Sequence, residues 1–143
     1  MKVMVIVKAT KESEAGVMPS HELLVAMGRF NEELARSGVM LAGEGLHPSA
    51  KGVRVRFPEG VVTDGPFAET KDLIAGYWLW EIASMQEAID WLRRSPFREH
   101  PEADVEIRPV FTAEDFGEAL APEVRAQEER IAAVAANRHG SAV

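Results

Sequence analysis

Residues 74–82 read IAGYWLWEI, the most apolar run in the chain. In an extended backbone successive side chains alternate between the two faces of a sheet. That places Ile74, Trp78, Trp80 and Ile82 on one side and Ala75, Tyr77 and Leu79 on the other. Neither side is polar. The amino-terminal run MKVMVIVKAT behaves alike, with Val3, Val5 and Val7 alternating against Met4 and Ile6. Two strands greasy on both faces need cover on both faces, and a layer of helices supplies only one.

Working outward, the period changes from two to 3.6 after Pro19. Leu23, Met27, Phe30 and Leu34 make one stripe, Ser20 is placed to cap it, and Ser37 with Gly38 ends it. Val39 to Leu46 and Val53 to Phe57 read as strands, and Pro58-Glu59-Gly60 turns the chain into Val61 to Thr63. After the central strand, Ser84 followed by Glu87 predicts a capping box, and Ala88, Ile89 and Leu92 give a second helix closed by Ser95-Pro96. Val105 to Phe111 returns as a last strand, and Thr112 with Asp115 caps a short turn. Pro122 to Arg138 is an alanine- and glutamate-rich helix whose larger apolar residues are Val124, Ile131 and Val134 alone. The order is that of an α+β, ferredoxin-like split β-α-β unit with an extra hairpin in its middle. Its two helices cover one sheet face. At roughly 25 cal/mol per Å² of apolar surface, leaving the other face wet forgoes many kcal/mol, so the pattern predicts an obligate homodimer with sheets face to face.

Composition narrows the function classes. The 143 residues include 23 acidic and 16 basic ones, a formal net charge of −7 with no long run of either sign. Such a surface argues against nucleic acid or an anionic membrane as partner. There is no cysteine, which removes disulfides, thiolate nucleophiles and cysteine-based zinc sites. No window reaches membrane-spanning length and the amino terminus lacks a cleavage pattern, so the expected location is the cytoplasm. The histidines, His21, His47, His100 and His139, are scattered without a His-x-His or His-x-x-x-His pair, and no metal site is expected.

The segments NEELARSGVMLAGEGLHPSAKGVRVRF, VTDGPFAETKDLIAGYWLWEI, SMQEAIDWL and EIRPVFTAEDFG resemble the YCII-related proteins, in particular the DGPF subgroup named for the tetrapeptide Asp64-Gly65-Pro66-Phe67. The resemblance spans residues 1–117 and leaves 118–143 as a carboxy-terminal helical extension. It implies a ferredoxin-like fold that pairs into a dimeric α/β barrel, and it implies no established reaction. Members of the subgroup are often encoded beside extracytoplasmic-function sigma factors, which implies a regulatory alternative. A histidine near the start of the first helix is part of a proposed site in the wider family; the spacing from His21 to Gly38 is too long to carry that role over.

The candidate site residues lie around the second strand and the DGPF bend. His47 precedes Pro48, which holds it extended at a strand end, where an imidazole can exchange protons near neutral pH. A surface histidine packed on its turn is the plain alternative. Asp64-Gly65-Pro66 is explained by turn chemistry. Phe67, Glu69 and Lys71 follow at alternating positions, which in an extended segment puts an aromatic, an acid and a base on one side, lining either a ligand pocket or a solvated loop. Arg54 and Arg56 share a strand face, fit either to grip a carboxylate or to form the wet side of a hairpin. Glu44 is an acid in an apolar strand, facing either an edge or a polar cavity. Trp78 and Trp80 read as core.

Cofactor-free proton transfer is the reaction class this inventory supports, with His47 as acid or base, Asp64 orienting it, and Lys71 or Arg54 holding a small anionic organic molecule beside Glu44, Phe67 and Glu69. The competing expectation is a non-catalytic ligand- or partner-binding module tied to sigma-factor regulation.

Overall fold

In the computed structural model, which describes residues 1–119 and 121–139, the IAGYWLWEI stretch lies inside a four-stranded antiparallel sheet. The strands of the chain are β1 (Lys2–Lys8), β2 (Met40–Gly45), β3 (Val53–Arg56), β4 (Val61–Asp64), β5 (Ile74–Glu81) and β6 (Val105–Pro109). The helices are α1 (Lys11–Glu14), α2 (His21–Arg36), α3 (Met85–Arg93) and α4 (Pro122–His139). The main sheet has the order β2-β5-β1-β6, and β3-β4 is a separate two-stranded hairpin. With the hairpin set aside, the two β-α-β crossovers interleave as the ferredoxin-like reading requires. The two strands greasy on both sides, β1 and β5, are the two central ones.

One face of the sheet is the core. Val3, Val5 and Trp80 have 0% of their surface exposed, and so do Leu34 of α2 and Ala88 of α3, which reach the same cluster. Phe30 of α2 meets Trp78, Trp80 and Trp91 edge-on, with ring centroids 5.9, 6.5 and 6.4 Å apart. Edge-to-face contacts align the positive ring edge with the negative face of its neighbour and add about 0.5–1.5 kcal/mol each beyond area burial. The opposite face, with Met4, Ile6, Tyr77 and Leu79, is half-buried. Cross-strand pairs Met4↔Leu79 and Ile6↔Tyr77 put these four side chains side by side.

The helix ends follow local chemistry. Ser20 Oγ accepts from the Leu23 N–H at 3.1 Å, and past Ser37 the chain reverses through Gly38 at φ 73°. Ser84 Oγ accepts from the Glu87 N–H, while the Glu87 carboxylate reaches one residue beyond the cap, to the Ala83 N–H. The short helix α1 was not anticipated. Its signal is the Thr10-x-x-Ser13 pair, in which each side chain caps the other's backbone N–H at 3.1 and 2.8 Å.

The DGPF segment also departs from expectation. Phe67, Glu69 and Lys71 do not alternate along an extended chain, because Thr70–Asp72 winds into a 3-10 turn that Glu69 precedes. Within that turn 3-10 geometry replaces the period of two, so the alternation does not carry through to Lys71.

The chain divides into two compact units, Met1–Val110 and the remainder from Phe111. Within the second, Thr112 N–H and Oγ donate to the Asp115 carboxylate at 2.7 and 3.1 Å, and Phe111 stacks on Phe116 at 5.0 Å. No described residue of α4 is buried.

Candidate functional site

The apolar stripe of α2 has two destinations. Phe30 and Leu34 enter the core, whereas Leu23 and Met27, toward the amino end, wall a cleft of about 380 Å³. The space exists because the sheet beneath lacks side chains. Gly43 pairs with Trp78, and Gly45 pairs with Gly76, so three of these four positions on the helix-facing side are glycine. A Cβ at Gly76 would stand 2.8 Å from the Glu44 carbonyl oxygen, closer than a side chain tolerates. Val7, Leu24, Trp78 and Phe97 complete an apolar lining. The volume falls in the range of small-molecule sites.

Few polar groups converge there. His100 lines the cleft, and its Nδ1 is buried with no hydrogen-bond partner among the described residues. The segment that holds it is turned: Ser95 precedes a 3-10 turn over Pro96–Glu99, and the His100 N–H donates to the Phe97 carbonyl at 2.9 Å. His100 itself is extended, at φ −106° and ψ 106°, as a residue before proline should be. Asn31 of α2 also lines the cleft, where its Oδ1 accepts from Trp78 Nε1–H at 2.9 Å. Thr10 and Ser13 face the same space but are occupied by capping each other. Lys8 lines the wall with its Nζ 3.6 Å from the Glu106 carboxylate.

The residues singled out from sequence fall in two places. Glu44 lines the cleft. Its register partner is Tyr77, so strand alternation turns its Cβ to the face opposite Trp78. His47, Asp64, Arg54, Phe67, Glu69 and Lys71 do not line the cleft. They belong to the β3-β4 hairpin, which holds Arg54 and Asp64, and to the loops around it; His47 and Asp64 are exposed. There the DGPF bend is bound to the turn at Ser49. Gly65 N–H donates to the Gly52 carbonyl at 2.9 Å, and Ser49 Oγ accepts from the Phe67 N–H at 3.1 Å. A Cβ on Gly65 would lie 1.8 Å from the Ser49 carbonyl oxygen, so only glycine fits. Arg54 lays its guanidinium over the Phe67 ring, 3.9 Å from the centroid, a cation–π contact of about 0.5–1 kcal/mol at an exposed site.

Sequence reasoning missed His100 and Asn31. A signal for the first was present: His100 precedes Pro101 as His47 precedes Pro48. Asn31 lies one position past the apolar stripe, where a polar residue reads as solvated. Among the described residues no group of three His, Asp or Glu side chains is placed to hold a metal ion, and no helix is long and apolar enough to cross a membrane.

Comparison with known proteins bears on this architecture. A curated relative, an uncharacterized protein R00369 of Rhizobium meliloti (strain 1021), is 36% identical over 67 residues, 46% of this chain and 54% of its own length. The chain thus spans about half the length of the curated relative it matches. Among solved structures, 5-chloro-2-hydroxyhydroquinone dehydrochlorinase (TftG) from Burkholderia phenoliruptrix AC1100, in complex with 2,5-dihydroxybenzoquinone, aligns at a TM-score of 0.48 and 13% identity, over 80% of this chain and 98% of that one. The family model of the YCII-related domain matches residues 1–114, and the chain belongs to the YCII-related family.

Proposed function

We propose that the cleft under α2 binds a small, mostly apolar organic molecule and that His100 moves a proton on it. The observation behind this reading is the His100 side chain on the cleft wall, whose buried Nδ1 has no hydrogen-bond partner among the described residues. A histidine side chain on an apolar wall is the type of group that most often passes protons to and from a bound molecule. The imidazole accepts a proton from an acidic C–H or O–H of the ligand and returns it to another atom of the same molecule. No oxidant, reductant or second substrate is needed, and a cofactor-independent isomerisation or tautomerisation is the matching reaction class.

The same proposal includes a homodimer through the sheet face bearing Met4, Ile6, Tyr77 and Leu79. Both central strands carry apolar side chains on that face, and α2 and α3 contribute their buried residues to the other one. A second sheet laid on it would form a dimeric barrel.

Proton exchange tests the chemistry. In deuterated buffer, the native protein should accelerate loss of the methyl protons of 4-hydroxyacetophenone, followed by NMR. His100→Gln keeps a polar side chain of similar reach but cannot shuttle a proton. It should remove the acceleration while leaving the thermal unfolding profile in place. Equal exchange with both proteins would refute the role of His100.

A further inference from the structure

We infer that the ligand of this cleft is an uncharged molecule carrying a carbonyl oxygen on an apolar body, and that the Asn31 amide is the group that reads that oxygen. The inference rests on the cleft being a small-molecule site and names the chemistry it selects.

The orientation of Asn31 is fixed by its neighbour. An indole N–H only donates, so the Asn31 atom 2.9 Å from Trp78 Nε1 is its oxygen. The Nδ2 amino group, with two donor hydrogens, is then the end left over, and no described residue accepts from it. Trp78 is itself immobilised, 5% exposed and packed edge-on against Phe30 and Phe97 at 5.9 and 6.0 Å. Asn31 is therefore a preorganised donor on the wall of an apolar cleft, with its acceptor already used.

Charge decides between a carbonyl and a carboxylate. The described lining holds Lys8, whose ammonium faces Glu106, and Glu44, and neither Arg54, Arg56 nor Lys71 reaches it. An anionic ligand would lose its hydration among Val7, Leu24, Met27, Trp78 and Phe97 without a dedicated counter-charge. A neutral carbonyl loses far less on entry. Asn31 also suits the chemistry assigned to His100. When a proton leaves the carbon next to a carbonyl, negative charge gathers on the carbonyl oxygen, and an oriented amide N–H placed there beforehand stabilises it.

Asn31→Asp separates these roles, because a carboxylate keeps an acceptor for Trp78 Nε1–H while replacing both Nδ2 donors by a second acceptor. The probes are 4-hydroxyacetophenone, 4-hydroxybenzoate and 4-ethylphenol, which share a phenol ring and present a ketone, a carboxylate or no second oxygen. Affinities are read by quenching of tryptophan fluorescence. The native protein should bind the ketone at least about tenfold more tightly than the benzoate. In Asn31→Asp the ketone should weaken by about tenfold or more, while 4-ethylphenol binds within about twofold of native. Asn31→Ser, a smaller polar replacement, should weaken the ketone in the same direction and guards against a folding defect in the first variant. Unchanged ketone affinity in both variants, or preference for the benzoate, overturns the role of Asn31 while leaving the cleft a binding site. Failure of all three probes to bind the native protein overturns the binding reading itself, and this inference with it.

Discussion

The Glu14 carboxylate and Ser49 are joined across 35 residues of sequence: the Ser49 N–H donates to both carboxylate oxygens, at 3.2 and 3.1 Å, and Ser49 Oγ–H donates to Oε2 at 2.8 Å. Because the same hydroxyl oxygen accepts from the Phe67 N–H, one serine ties α1, the turn after β2 and the DGPF bend together. Replacing Ser49 by Ala leaves the Phe67 N–H without its partner and takes from Glu14 Oε2 one of its two donors. The expected loss is about 1–3 kcal/mol of stability, measured by urea unfolding. An unchanged midpoint would mean that water serves these groups equally well.

The bend itself depends on a missing atom. Gly65→Ala places a methyl group 1.8 Å from the Ser49 carbonyl oxygen, against backbone that cannot rotate away as a side chain would. The variant should lose roughly 1–3 kcal/mol or more, and thermal unfolding should begin in the β3-β4 hairpin, visible as early loss of amide protection there. A native-like melting temperature would show that the turn at Ser49 yields easily.

Core and surface positions should differ sharply. Leu34→Ala removes a side chain with no exposed surface from the contact of α2 with the sheet and should cost about 2–5 kcal/mol. Ile131→Ala, at a position 54% exposed on α4, should stay within about 0.5 kcal/mol of native. Comparable losses at both sites would mean that α4 has a covered face in solution.

How much of this was legible beforehand varies with the range of the interaction. The strand and helix spans, the caps at Ser20 and Ser84 and the turn at Gly38 follow from neighbours within four residues, and sequence displays those directly. The double-sided character of β1 and β5 was likewise visible, since alternation is a local property. The cleft was not. It is assembled from Val7, Asn31, Gly43, Gly76, Trp78, Phe97 and His100, whose proximity depends on register between β2 and β5 and on how α2 lies over them. Glu44 was singled out as an acid in an apolar strand, and it does line the cleft, though its Cβ faces away from Trp78. The DGPF tetrapeptide attracted attention as unusual sequence, and its glycine answers to a steric demand from Ser49 that no local pattern reveals.

The proposed dimer has its own test. Leu79→Glu puts a charge in the middle of the face shared with Met4, Ile6 and Tyr77, where desolvating it against a second sheet is prohibitive. Sedimentation should give a dimer for the native protein at micromolar concentration and a monomer for the variant. A native monomer would contradict the sheet-to-sheet arrangement.

The most direct measurement follows the histidine rings by carbon–proton NMR during titration with 4-hydroxyacetophenone, with His47→Gln and His100→Gln used to assign the signals. If the cleft under α2 is the site, the His100 resonances shift and saturate while those of His47 and His21 stay in place. Saturable movement of His47 with His100 unmoved would put the site at the hairpin loops and contradict the proposal.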